Sequence, residues 1–150
     1  MYFLFSPFSA FTDIEFGSTA SGNVYVYYKQ GSMTNDVAEL TDPSVWILAG
    51  SASHSSVPGD LIPVTVNINM LAGETVALYL RSDNGNLVYG NGTGTDDIVV
   101  GDANLSVMGG AGIGAVPGAT IPTTATIYGN SLTGSRDFAG DITYTLPTYT

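Results

Sequence analysis

The clearest pattern in the chain is a run of short alternating segments over residues 61–107, broken by Gly, Asn and Asp. Val64, Val66, Ile68 and Met70 alternate with Thr65, Asn67 and Asn69, and a period of two puts the apolar set on one face of a strand. Residues 75–81 repeat the pattern, with Val76, Leu78 and Leu80 directed inward and Thr75, Tyr79 and Arg81 outward. Leu71-Ala72-Gly73-Glu74 is a short connection, so the two runs are expected as antiparallel neighbours. Asn84-Gly85 tolerates positive φ and signals a further hairpin, which extends the expectation to a three-stranded meander.

The rest of the chain carries weaker versions of the same signal. Residues 12–16 alternate, residues 17–23 form a turn, and residues 24–29 are a strongly β-prone strand with Tyr25 and Tyr27 opposite Val24, Val26 and Tyr28. Residues 30–44 are a polar loop with a short helical turn near residues 36–40, and residues 45–50 are a strand whose Trp46 is the expected core anchor. Residues 98–100 and 105–108 flank a Gly101-Asp102-Ala103-Asn104 turn. Residues 108–118 are rich in glycine and short of bulk, which predicts a long surface loop, and residues 125–128 and 140–146 are closing strands. About nine or ten strands with turn signals every 8–12 residues or so predict an all-β chain, an antiparallel β-sandwich of jelly-roll type. No segment sustains a helical period and no internal repeat is present.

Composition narrows the class. At 150 residues the chain has single-domain length and can bury a core without metal or disulfide staples, so residues 1–150 are read as one β-sandwich domain. Three basic against 13 acidic residues, a formal net charge of -10, argue against nucleic acid, whose phosphates demand clustered Lys and Arg. The same charge disfavours anionic membranes, and no apolar run reaches the ~20 residues that span a bilayer, so no membrane insertion is expected. Cysteine is absent, which removes disulfides, thiolate catalysis and zinc-thiolate sites. Low lysine with abundant Gly, Thr, Ser, Asn and Tyr suits a secreted bacterial β-protein.

The segments VYVYYKQGS, SVWILAGSAS, IPVTVNINMLAGETVALYL, LVYGNGTG, VVGDANLSVMGGAGIG and SRDFAGDITYTL together resemble a β-sandwich module that recurs in large secreted and surface-anchored bacterial proteins. The resemblance spans most of residues 12–146 and rests on structural motifs. It implies an adhesin-like, structural role and an extracellular or cell-surface location more than any activity. The chain departs from the pattern at residues 122–128 and 130–135, ahead of Arg136, and in a short first strand. Those departures fit either a piece of a longer polypeptide or a variant that completes its sheet by association.

Three groups of residues are candidates for chemistry. Asp83, Asn84, Asn86, Asp96, Asp97, Asp102 and Asn104 lie in three turns and offer the hard oxygens that calcium takes, although none fits a defined calcium loop and Asx residues also stabilise turns by bonding their own backbone. Tyr25, Tyr27, Tyr79, Tyr89 and Tyr128 offer stacking faces to a glycan wherever they meet solvent, against the alternative of cross-strand pairing. Tyr2, Phe3, Leu4, Phe5, Phe8 and Phe11 make residues 1–11 an apolar edge strand or a donor strand for a neighbouring subunit. Residues 1–11 also lack the basic region of a signal peptide and are read as structure.

Catalysis finds little support. His54 stands among serines without a nucleophile-elbow pattern, and Asp96-Asp97 are neighbours on opposite faces of any strand. Calcium is the one cofactor the turns suggest, and none is required. The expected function is a non-catalytic extracellular structural or adhesive module, in a surface protein or a self-assembling fibre, whose partners are further subunits or surface glycans. A carbohydrate-binding module with a calcium or tyrosine-lined site and a jelly-roll virion subunit are the alternatives.

Overall fold

The computed structural model describes residues 5–6, 8–34, 36–54, 60–95, 97–128, 130–131 and 134–149. Tyr2, Phe3, Leu4 and Asp96 lie outside the described residues, as do the side chains of Phe5, Phe8 and His54. In chain order the elements are β1 (Phe5–Ser6), β2 (Phe8–Gly17), β3 (Gly22–Gln30), α1 (Val37–Leu40), β4 (Ile47–His54), β5 (Leu61–Leu71), β6 (Val76–Ser82) and β7 (Tyr89–Gly92). They continue as β8 (Ile98–Gly101), β9 (Ser106–Met108), β10 (Gly112–Gly114), β11 (Thr126–Tyr128), β12 (Asn130–Ser131), β13 (Gly134–Phe138), β14 (Gly140–Thr145) and β15 (Thr148–Tyr149). The chain is all-β with antiparallel pairing throughout these ladders. Three sheets of three strands run β14-β2-β5, β4-β3-β6 and β12-β13-β7, beside the two-stranded pairs β1-β15, β8-β9 and β10-β11.

β2 shows how the pattern becomes structure. Phe11, Ile14 and Phe16 are all buried, yet Phe11 and Ile14 stand at an odd spacing that strict alternation sends to opposite faces. The register against β5 shifts between Phe11 and Asp13, a β-bulge whose extra residue returns Ile14 and Phe16 to the side of Phe11. The strand therefore runs unbroken from Phe8, and the expected division at residue 11 between an arm and a first strand is absent. Phe11, expected in an assembly arm, is a core residue at 4% exposure.

Alternation in β5 is as expected: Ile62, Val64, Val66 and Ile68 are buried and the residues between them are exposed. The partners are not those expected. β5 pairs with β2, β6 with β3 and β7 with β13, so the three-stranded meander is corrected to three strands in three different sheets. A period of two specifies which face is buried and says nothing of the neighbour. The connection Ala72-Gly73 works as an arch between sheets: Gly73 takes φ 79, the Glu74 N–H donates to the Leu71 carbonyl at 3.1 Å, and the Glu74 carboxylate accepts from the Leu71 N–H at 3.1 Å. Asn84-Gly85 likewise turns the chain without pairing β6 to β7.

Two clusters hold the fold. The first joins Phe11, Ile14 and Phe16 of β2, Val24 and Val26 of β3, and the buried residues of β5, with Leu78, Leu80 and Ile142 packed against it. The second lies on the opposite side of β3 and β6 and gathers Leu40, Trp46, Ala77, Tyr79 and Ile121, with Tyr27, Ile113 and Ile127 against it. α1 and the segment around Ile121 thus cover a face that alternation alone reads as solvent-facing. The helical turn forms as expected, capped by the Asp36 carboxylate on the Ala38 N–H. Residues 108–118 are only partly a loop, because β10 forms within them, pairs with β11 and brings Ile113 onto the second cluster. Among the described residues, twelve strands have three or more residues, against the nine or ten expected, because short pieces such as β10 form where small residues let backbones approach.

Candidate functional site

The acidic turns are occupied by their own hydrogen bonds. The Asp83 carboxylate accepts from the backbone and side-chain amides of Asn23, both at 2.8 Å, and those donors hold its pKa below the ordinary carboxylate value. Asn84 donates to the Ser21 carbonyl at 2.9 Å, and the Asn86 N–H donates to the Thr19 hydroxyl at 2.9 Å, so this turn clamps the one that precedes β3. The Asp102 carboxylate accepts from the Tyr144 hydroxyl at 2.6 Å and from the N–H groups of Asn104 and Leu105 at 2.8 and 2.9 Å. That pairing lowers the Asp102 pKa, raises that of Tyr144, and ties the β8-β9 turn to β14. Asp97 accepts from the Thr93 hydroxyl within its own loop. Among the described residues no three His, Cys, Asp or Glu side chains gather at one place.

The tyrosines divide into two groups. Tyr79, read from the sequence as outward, is 4% exposed; its hydroxyl donates to the Leu40 carbonyl at 2.9 Å and its ring meets Trp46 edge-on at 4.9 Å. Burial pushes its pKa up to about 12. Tyr27 donates to the Ala119 carbonyl at 2.6 Å, and burial, reinforced by Tyr25, raises its pKa. Tyr25 sits opposite Arg81 in the β3-β6 register and is half-buried. These three belong to the covered face of the sheet, and the correction has the same cause as that for Arg81, which is 7% exposed.

Tyr89 and Tyr128 remain 54% and 50% exposed. Tyr89 meets Arg136, a residue that the sequence places only within a closing motif, and Tyr128 stands across Gly112 from it. The Arg136 guanidinium lies 5.4 Å from the centre of the Tyr89 ring and donates to the Asn91 side-chain carbonyl at 3.1 Å. β13 pairs with β7 to bring these three together. Tyr128 arrives from β11, and the floor is β10: a Cβ on Gly112 would sit 3.1 Å from Arg136 Cγ and 3.8 Å from Tyr128 Cβ. A Cβ on Gly114 would sit 2.5 Å from the Tyr128 ring. Glycine at 114 leaves room for the tyrosine ring, and a Cβ at 112 would crowd the arginine stem. The chain's scarcity of basic residues is the sequence signal that would have directed attention to Arg136.

Tyr89, Tyr128 and Arg136 line a cleft of about 1200 Å³, whose inner wall includes Leu80, Leu105 and Val107. Arg81 lines it too; one of its terminal nitrogens donates to the Val116 carbonyl at 3.0 Å, and its buried Nε has no partner. β6 is the last strand of its sheet. The Asp83 N–H bonds to the Asn23 carbonyl, so alternation along β6 points the backbone groups of Leu78, Leu80 and Ser82 away from β3. On that side Gly118 donates to the Ser82 carbonyl at 3.0 Å, and no strand among the described residues pairs there. The arrangement offers stacking faces, a pinned guanidinium and an apolar wall, which together suit non-covalent recognition. No helix among the described residues is long and apolar enough to cross a membrane. No family model, curated protein or solved structure matches the chain.

Proposed function

We propose that the chain is a non-catalytic adhesive module of the extracellular surface, a β-sandwich of jelly-roll type that binds a saccharide at the mouth of this cleft. The sandwich reading draws on the first cluster, where β2 and β5 of one sheet meet β3 of another. The observation that carries the function is a pair of half-exposed tyrosines, one of them against an arginine held by Asn91, on the lining of one large cavity. Sugar rings present C–H faces to aromatic surfaces and hydroxyls to fixed polar groups, and sites of this kind are concave and largely preformed. The test is binding to a panel of immobilised neutral and acidic oligosaccharides. At least one class is retained by the native chain, and Tyr128→Ala, its folded state checked by thermal denaturation, weakens retention by tenfold or so, as loss of a stacking contact predicts. Retention of no class, or retention indifferent to Tyr128, contradicts the assignment.

A second reading, self-association by strand addition, is favoured by the outer edge of β6. If a second copy adds there, amide exchange at Leu78 and Leu80 slows as protein concentration rises and sedimentation shows a matching growth in mass. Exchange at those amides that does not change with concentration rules it out.

A further inference from the structure

Positive charge is scarce in this chain, and its distribution identifies the ligand class. Of the three basic residues, Lys29 is spent on Glu39 at 3.0 Å, and that is the one ion pair among the described residues. Arg81 and Arg136 both line the cleft, and among the described residues neither forms an ion pair with a carboxylate. Arg81 is buried, donates from a terminal nitrogen to the Val116 carbonyl, and among the described residues leaves its Nε without an acceptor. A buried charge without a counter-charge is costly, and an anion that enters the cleft relieves that cost. Among the described residues, the two carboxylates on the cleft wall do not supply it: Glu74 is turned back to the Leu71 N–H, and Asp137 accepts from the Ser135 hydroxyl.

We propose that the cleft binds an acidic saccharide of the hexuronate class, with sugar rings stacked at Tyr128 and Tyr89 and carboxylates engaged by Arg136 and Arg81. This deepens the saccharide reading above and rests on it. A guanidinium matches a carboxylate with two parallel N–H donors, and Arg136 is already fixed in position by Tyr89 and Asn91, so little conformational freedom is lost on binding. The net charge of -10 opposes an anion at long range. That field fades over about 8 Å at physiological ionic strength, whereas a guanidinium in the cleft acts at contact.

Calorimetric titration of the full chain with trigalacturonate and with the neutral galactotriose tests the proposal. Trigalacturonate binds roughly tenfold to a hundredfold more tightly than the neutral trisaccharide, which is what a charge-assisted hydrogen bond contributes. Arg136→Ala removes most of that preference, and Arg136→Lys, which keeps the charge and loses the fork, restores it only in part. Because Arg81→Met risks the fold, its role is read in the native chain from the Arg81 Nε–H resonance, which shifts on addition of trigalacturonate. Equal or tighter binding of galactotriose overturns the acidic assignment and leaves the saccharide reading standing. Binding of neither sugar, or an unmoved Arg81 Nε–H at saturation with trigalacturonate, overturns it as well, whereas the saccharide reading falls only if no class on the oligosaccharide panel is retained.

Discussion

Phe16→Ala is expected to cost about 3–5 kcal/mol of unfolding free energy. Phe16 is 1% exposed, stands opposite Ile62 in β5 and Gly140 in β14, and belongs to the cluster that joins two sheets. Its removal leaves a cavity bounded by strands on both sides, which cannot collapse without slipping their registers. For a chain of this size the loss corresponds to a fall in melting temperature of roughly 6–20 °C. Thermal and urea denaturation measure it. A cost below about 1 kcal/mol would show that the first cluster is not the core.

Gly140→Ala should destabilise by about 3 kcal/mol through the opposite fault, overpacking. A Cβ at this position would lie 1.8 Å from the Glu15 carbonyl oxygen and 2.9 Å from its carbonyl carbon. Backbone is the obstacle, and it is held by the Gly140–Phe16 and Asp141–Glu15 pairings, so no side-chain rotation relieves the clash. Gly90→Ala is the matched control: its Cβ would meet only Asp137 Cβ at 3.7 Å, an ordinary contact, and its cost is expected within about 0.5 kcal/mol. Equal behaviour of the two variants in denaturation would contradict the close approach of β14 to β2.

The sequence revealed which face of a strand is buried far better than which strand lies beside it. Val64, Val66 and Ile68 could be placed inward from their period alone, and Trp46 from its size, because burial of apolar surface acts locally on the pattern. The pairing of β5 with β2, some fifty residues upstream, left no local trace. The bulge near Thr12 is visible only as a defect in alternation, which makes the sequence of β2 read as two pieces. Alternation sets Tyr79 and Arg81 on the face opposite Leu78 and Leu80, but the cover over that face comes from α1 and Ile121, elements distant in sequence. The same holds for the site. Tyr89 and Tyr128 are recognisable by residue type, whereas the contact of Tyr89 with Arg136 depends on β13 pairing with β7, and the place of Tyr128 nearby on the glycine floor of β10, inside a segment whose composition suggests a loop.

The most direct test of the cleft as the working site is an amide and arginine side-chain NMR titration of the native chain with trigalacturonate. Saturable shifts concentrated at Gly110, Gly112, Gly114, Tyr128, Arg136 and the Arg81 Nε–H are the predicted result. Shifts scattered over the surface, or none at any concentration, would contradict it.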